Sequence, residues 1–408
     1  MAPVQRSIAE PAARAPARWL ARIDKLGVIV ALLVLAGTAF LPFVIFKANR
    51  IVLGEPLSLS QAMGPAQSVI GPLVIAIGAA LAATLTLVRI PNVWRLVSAF
   101  CVIAGLAVLM GTVASGLMPE GNTVARVSPA AGFWVLVFAF ALVVADALAR
   151  MHLGPLTRLA LLGLVALGLA LMLWSGLWQD VSILKEYANR GAAFRSEAQT
   201  HMVLAFGSLA AATLVGLPLG IACYRNRPLR IGVLNSLNVV QTIPSIALFG
   251  LLIAPLAWVA ANVPGASALG ISGIGFAPAM LALFGYSLLP IVANTVSGLQ
   301  AAPEAVREAA RGMGMTDRQV LLKAELPLSL PVIITGIRIV LVQNIGLATI
   351  AALIGGGGFG VFVFQGIGQT AMDLVLLGAV PTVALAIASA IVLDAIVELV
   401  TPGRARTP

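Results

Sequence analysis

The stretch QAAPEAVREAARGMGMTDRQVLLKAELPLSL, residues 300–330, joins two long apolar runs, Phe276–Leu299 and Pro331–Ile354. Each run approaches or exceeds the roughly 20 apolar residues that cross a bilayer, so the polar joint between them faces water. Pro303 suits the start of a helix. Val306, Ala309, Ala310 and Met313 recur at helical spacing and give an apolar face. Glu304, Arg307, Glu308 and Arg311 sit three and four residues apart and can pair along its side. Gly312 and Gly314 end this helix, and Thr316 caps a second one, Asp317–Glu325, which Pro327 and Pro331 terminate. Two short helices with a sharp turn are therefore predicted at a membrane surface. An ordinary interfacial amphipathic helix fits the same pattern.

The rest of the chain agrees with a membrane setting. Of 408 residues, 60% are hydrophobic and 10% charged, against about 45–50% and 25% in soluble domains. This excludes a soluble enzyme and a disordered chain. Ten spans are expected: Leu26–Phe46, Ser68–Val88, Leu96–Leu117, Ala130–Ala149, Leu159–Trp178, Met202–Tyr224, Ile231–Leu256, Phe276–Leu299, Pro331–Ile354 and Leu374–Val397. The first is too long for a cleaved signal peptide. Placing both termini in the cytoplasm puts nineteen of the 25 basic residues inside and six outside, as membrane orientation requires. The net charge of +10 is then a topology signal and not a nucleic-acid footprint. Cys101 and Cys223 lie in apolar runs and His152 and His201 are far apart, which argues against a disulfide framework or a metal site. Asp146 sits four residues before Arg150; an interfacial ion pair and a coupling-ion role are both open.

The 300–330 loop resembles the EAA loop of ABC-transporter permeases. The carriers are Glu308-Ala309-Ala310, Arg311-Gly312-Met313, Gly314, and then Leu326-Pro327; Ala324 stands where the family often has isoleucine. The segments LNVVQTIPSIALFG (237–250), YSLLPIVANTVSGL (286–299), ELPLSLPVIITGIR (325–338) and IGLATIAALIGGGGFG (345–360) are similar to permeases that import glycine betaine, choline, carnitine or proline betaine. The resemblance covers roughly residues 200–400. It implies an all-α polytopic helical membrane protein whose C-terminal half is a type I ABC importer core, set in the bacterial inner membrane. The implied organisation is a cytoplasmic tail (1–25), a five-span extension (26–178), a periplasmic loop (179–201), a core (202–400) with its coupling loop (300–330), and a C-terminal tail (401–408).

The resemblance further implies that a cytoplasmic ABC ATPase drives transport, that a periplasmic substrate-binding protein delivers the solute, and that a second permease chain, identical or similar, completes the path within the lipid. The chain itself is expected to be no enzyme and to bind no cofactor, with ATP-Mg on the partner. Its lysines, Lys25, Lys47, Lys185 and Lys323, follow Asp24, Phe46, Leu184 and Leu322, so no Gly-Lys phosphate loop exists. In the implied coupling helix Glu308 and Arg311 make polar contacts, Ala309 and Ala310 allow close approach, and Gly314 allows the turn.

Polar residues inside the core spans either line a path or bond between helices. Candidates include Gln241, Thr242, Ser245, Asn294, Thr295 and Asn344. Gln241 to Ser245 is the leading pathway stretch, because Pro244 breaks the helix there and frees a carbonyl. Gly355, Gly356, Gly357, Gly358 and Gly360 formally match a dinucleotide fingerprint but follow an apolar span and not a strand, so a flexible or re-entrant outer gate is expected. Aromatic rings, which hold quaternary ammonium groups, are few in the core, which places specificity on the binding protein. The rival classes are an ion-gradient transporter, which would want acids deeper than Asp394, and a membrane scaffold or sensor.

Overall fold

Eight helices among the described residues are long and apolar enough to cross a membrane. The structure is a computed structural model that describes residues 24–49, 52, 54–63, 77–80, 83–84, 87, 90–119, 121–122 and 124–400. The expected span Ser68–Val88 lies mostly outside these residues, as do 1–23 of the N-terminal tail and the C-terminal tail 401–408. The chain divides into two units, 1–152 and 153–408.

In the first unit, α1 (Lys25–Leu35) begins at Asp24, whose carboxylate accepts the Leu26 N–H at 3.2 Å. A π-helical turn, Ala36–Phe40, extends it. The expected first span, Leu26–Phe46, is thus shorter as a helix: 16 residues, about 24 Å at 1.5 Å each. Its apolar continuation is instead β1 (Val44–Lys47), which pairs antiparallel with β2 (Glu55–Leu57) and with β3 (Arg126–Pro129). Apolar composition alone does not separate a short strand from the end of a helix. α2 (Asn92–Leu117) and α3 (Ala131–Met151) are the long helices among the described residues of this unit. α1 and α3 approach closely at Gly132, where a Cβ would lie 2.8 Å from the carbonyl oxygens of Gly37 and Pro42.

A buried charge cluster ties three helices of this unit together. Arg95, only 2% exposed, lies 3.1 Å from Asp24 and 3.1 Å from Asp146. Arg150 adds contacts to Asp146 (2.8 Å) and Asp24 (3.3 Å). Asp146 therefore belongs to an alternating ring of two acids and two arginines, which satisfies charges that would be costly to bury singly.

The second unit opens with α4 (Pro155–Trp174), which packs on the last helix, α14 (Met372–Val400). Next comes α5 (Ser182–Met202), running through a π turn into α6 (Ser208–Arg225). The stretch expected as a loop, 179–201, is thus mostly helix; being polar, it carries no apolar run to reveal it. α7 (Arg227–Thr242) and α8 (Ser245–Asn262) replace the single expected span Ile231–Leu256. The central helix is α9 (Phe276–Gln300), which packs against α6, α7 and α12 (Leu326–Ile350). Small residues set these approaches: a Cβ on Gly220 would sit 2.6 Å from Thr295, and one on Gly336 would sit 2.7 Å from Asn294. α10 (Glu304–Gly312), α11 (Asp317–Val320) and α13 (Gly360–Gly368) complete the set.

Candidate functional site

The 300–330 loop folds as two short helices at the ends of α9 and α12. α10 follows Pro303 and ends at Gly312, and Gly314 turns the chain with φ +81°. Thr316 caps α11 through a capping box with Gln319. The second helix does not stop at Pro327 as expected. It passes through a π turn, Leu321–Glu325, into α12, so helix runs unbroken from Asp317 to Ile350. Proline lacks the N–H that the Lys323 carbonyl would receive, and the wider turn absorbs that loss.

Ala310 is the buried residue of α10, whereas Glu308, Ala309, Arg311, Gly312 and Gly314 are exposed. Met313 is 70% exposed and Val306 37%, so most of the apolar face finds no cover within the chain. Pro327 is exposed and Leu326 half-buried. The arginines leave the pairing along the helix that spacing predicts. Arg307 Nε lies 3.0 Å from Glu325 on the π turn, and Arg311 lies 3.4 Å from Asp317 on α11.

Pro244 separates α7 from α8, and the chain there is extended at Ile243 (φ −71°, ψ 126°). The freed Ile243 carbonyl accepts from the Tyr286 hydroxyl, and the Gln241 side-chain amide donates to the Tyr286 carbonyl at 2.8 Å. Thr242 and Pro244 are exposed and Ser245 half-buried. Thr242 returns its hydroxyl to the Val239 carbonyl at 2.7 Å.

The other polar candidates sit deeper. Asn344 is fully buried on α12 and its amide nitrogen donates to Ser208 of α6 (2.9 Å) and Ser287 of α9 (2.8 Å). Thr295 is also fully buried and donates to the Ile291 carbonyl at 2.7 Å. Asn294, half-buried, donates to the Pro290 carbonyl at 2.8 Å. Asp394, the acid near the end of α14, is paired with Arg338 of α12.

The glycine run, expected as part of a flexible or re-entrant outer gate, is held by several contacts. Gly355, Gly357 and Gly358 take positive φ, and Gly356 donates to the Ala351 carbonyl. On α5, Glu197 accepts the Gly358 N–H at 2.6 Å and His201 Nδ1 accepts the Phe359 N–H at 3.3 Å. The His201 ring also lies 4.8 Å from the Phe359 ring. Gly360, at the start of α13, sits against the Thr349 carbonyl, where a Cβ would overlap. Composition hides this grip, but Glu197 and His201 carry an i, i+4 spacing that places both on one helix face. Tyr224, Glu325 and Tyr286 are likewise structural partners that sequence reasoning did not single out for those roles.

Comparison with known proteins places this geometry. Residues 212–406 match the family described as binding-protein-dependent transport system inner membrane component. Residues 24–184 match the N-terminal domain of ABC transporter permease YehY. The osmoprotectant import permease protein OsmW of Salmonella typhimurium is 42% identical over 202 residues, 50% of this chain and 89% of OsmW. The chain belongs to the binding-protein-dependent ABC permeases. A second relative of the permease is the glycine betaine/carnitine/choline transport system permease protein OpuCB of Bacillus subtilis, 35% identical over 50% of this chain and 86% of OpuCB. A solved MetNI methionine ABC transporter contains a chain 25% identical to the permease, with a TM-score of 0.46, over 52% of this chain and 98% of that one. Membership of that family makes the permease a multi-pass inner-membrane protein and a non-catalytic transporter subunit. Its family implies an ATPase and a substrate-binding protein as partners.

Proposed function

We propose that the permease is the translocating subunit of an ATP-driven importer for a small osmoprotectant such as glycine betaine or a related quaternary amine. The observation that carries this reading is the 42% identity, over 202 residues, to an osmoprotectant import permease. ATP-Mg binding and hydrolysis belong to a separate cytoplasmic ATPase. A second permease chain, identical or similar, completes the path, and a periplasmic protein hands over the solute. The topology is ten spans with both termini inside, arranged as a five-span extension (26–178), a periplasmic segment (179–201) and a core (202–400); the bias of basic residues supports this orientation.

Within the core, Glu308, Ala309, Arg311 and Gly314 of the coupling loop meet the ATPase, with Ala310, buried against its own chain, and Leu326 and Pro327 behind them. The uncovered Met313 and Val306 supply apolar area for that contact. Gln241, Thr242, Pro244, Ser245 and Asn294 line the path. Thr295 and Asn344, buried between helices, fix its geometry. Gly355–Gly358 and Gly360 form the outer gate, held by Glu197 and His201.

Purification of the tagged permease in mild detergent from its host tests the reading. A stoichiometric soluble ATPase, lost in Gly314→Asp or Glu308→Lys, is the expected outcome. Normal ATPase assembly and uptake in both variants would contradict the coupling-loop assignment.

A further inference from the structure

We propose that Arg307, Glu325 and Tyr224 form the joint that carries displacement of α10 into the ends of α6, α9 and α12. This rests on α10 being the helix that meets the ATPase. The last carbonyls of an α-helix have no partner within it. At the end of α9, Arg307 Nη2 lies 2.8 Å from the Ala302 carbonyl oxygen and 3.4 Å from those of Leu299 and Gln300. A cation at a helix C-terminus is favourable as well as a donor. The same guanidinium forms an ion pair with Glu325, its Nε 3.0 Å from Oε1. That oxygen also accepts from the Tyr224 hydroxyl, at the end of α6, at 2.8 Å. One side chain of α10 thus touches the end of α9 and, through one carboxylate oxygen, the root of α12 and the end of α6.

Burial makes the joint stiff. Glu325 is 7% exposed, and a carboxylate so placed depends on its partners. Moving α10 away from α12 would strip Glu325 of its cation and α9 of its cap together, so the helix ends follow α10 as a body. Lysine is a poor replacement, because its point charge lacks the planar fork that meets carbonyls and carboxylate at once. By contrast the Arg311–Asp317 pair, exposed on both sides, carries little.

The test uses the complete transporter, permease with its ATPase and liganded binding protein, in proteoliposomes. Three quantities are measured: ATPase retained on purification, thermal midpoint, and ATP hydrolysis stimulated by the binding protein. In Arg307→Lys and Glu325→Gln the ATPase is expected to remain bound, while stimulation falls about tenfold, the effect of weakening one partly buried ion pair. The double variant is expected to be no worse than the poorer single one, because both break one joint. Tyr224→Phe, which removes one hydroxyl, is expected to lower stimulation about threefold without changing yield. Normal stimulation in the single variants, or independent losses multiplying to about a hundredfold in the double one, overturns the joint. Loss of the ATPase from the variants also overturns it, since Arg307 would then hold the shape of the loop and not its motion. If the unaltered permease retains no ATPase, the coupling reading fails instead.

Discussion

The Gln241 side-chain amide donates to the Tyr286 backbone carbonyl across 2.8 Å, while the Tyr286 hydroxyl donates back to the Ile243 carbonyl. Two prolines explain the exchange. Pro290 has no N–H, so the Tyr286 carbonyl one turn earlier loses its helical partner. Pro244 ends α7 and leaves the Ile243 carbonyl outside any helix. Each break exposes an acceptor, and each helix supplies the other with a donor. In a bilayer such groups find no water, so this mutual repair lets an irregular backbone persist at the proposed path.

Gln241→Leu should therefore destabilise the permease by about 1–2 kcal/mol, the cost of an orphaned carbonyl less the apolar gain. Thermal unfolding in detergent should show a midpoint several degrees lower. An unchanged midpoint would mean that the Tyr286 carbonyl has another donor.

Glu197→Ala removes the acceptor of the Gly358 N–H. Hydrogen exchange at Gly358 and Phe359 should accelerate by about tenfold or more, matching the loss of one charge-assisted bond. Exchange in α9 should not change, because α9 keeps its own ladder. Equal rates in the variant would show that the glycine run is held by its backbone turns alone.

Gly360→Ala places a methyl group into the Thr349 carbonyl, and backbone cannot step aside as a flexible side chain can. About 3 kcal/mol of overpacking is expected, enough to remove most folded protein. Gly346→Ala, where a Cβ meets nothing within 4 Å, is the matched control and should be neutral or slightly stabilising. The comparison is read as monodisperse yield by size exclusion.

Arg95→Met leaves Asp24 and Asp146 with Arg150 as their remaining arginine in the cluster. Breaking a buried charge network from one side costs about 3–5 kcal/mol, so the first unit should become sensitive to proteolysis. Core spans should keep their resistance, since the altered contacts lie within residues 24–150. Wild-type protease resistance throughout would refute the role given to Arg95.

The amino-acid sequence by itself determined the membrane setting and the approximate position of most described spans, because transfer of apolar side chains depends on composition over about 20 residues and little else. It also determined the two helices of the 300–330 loop, since Pro303, Gly314 and Thr316 act through local backbone geometry. Tertiary structure decided what depended on partners far along the chain. Val44–Lys47 became a strand because Glu55–Leu57 and Arg126–Pro129 came to pair with it. Helix continued past Pro327 from the π turn Leu321–Glu325 just before it, and Glu325 within that turn met Arg307 and Tyr224. The backbone at Gly358 and Phe359 met Glu197 and His201 more than 150 residues earlier, contacts that no local pattern announces. The physical reason is the same in each case. Hydropathy and capping are summed over neighbours in sequence, whereas a buried donor is satisfied by whichever acceptor the packed helices bring within about 3 Å.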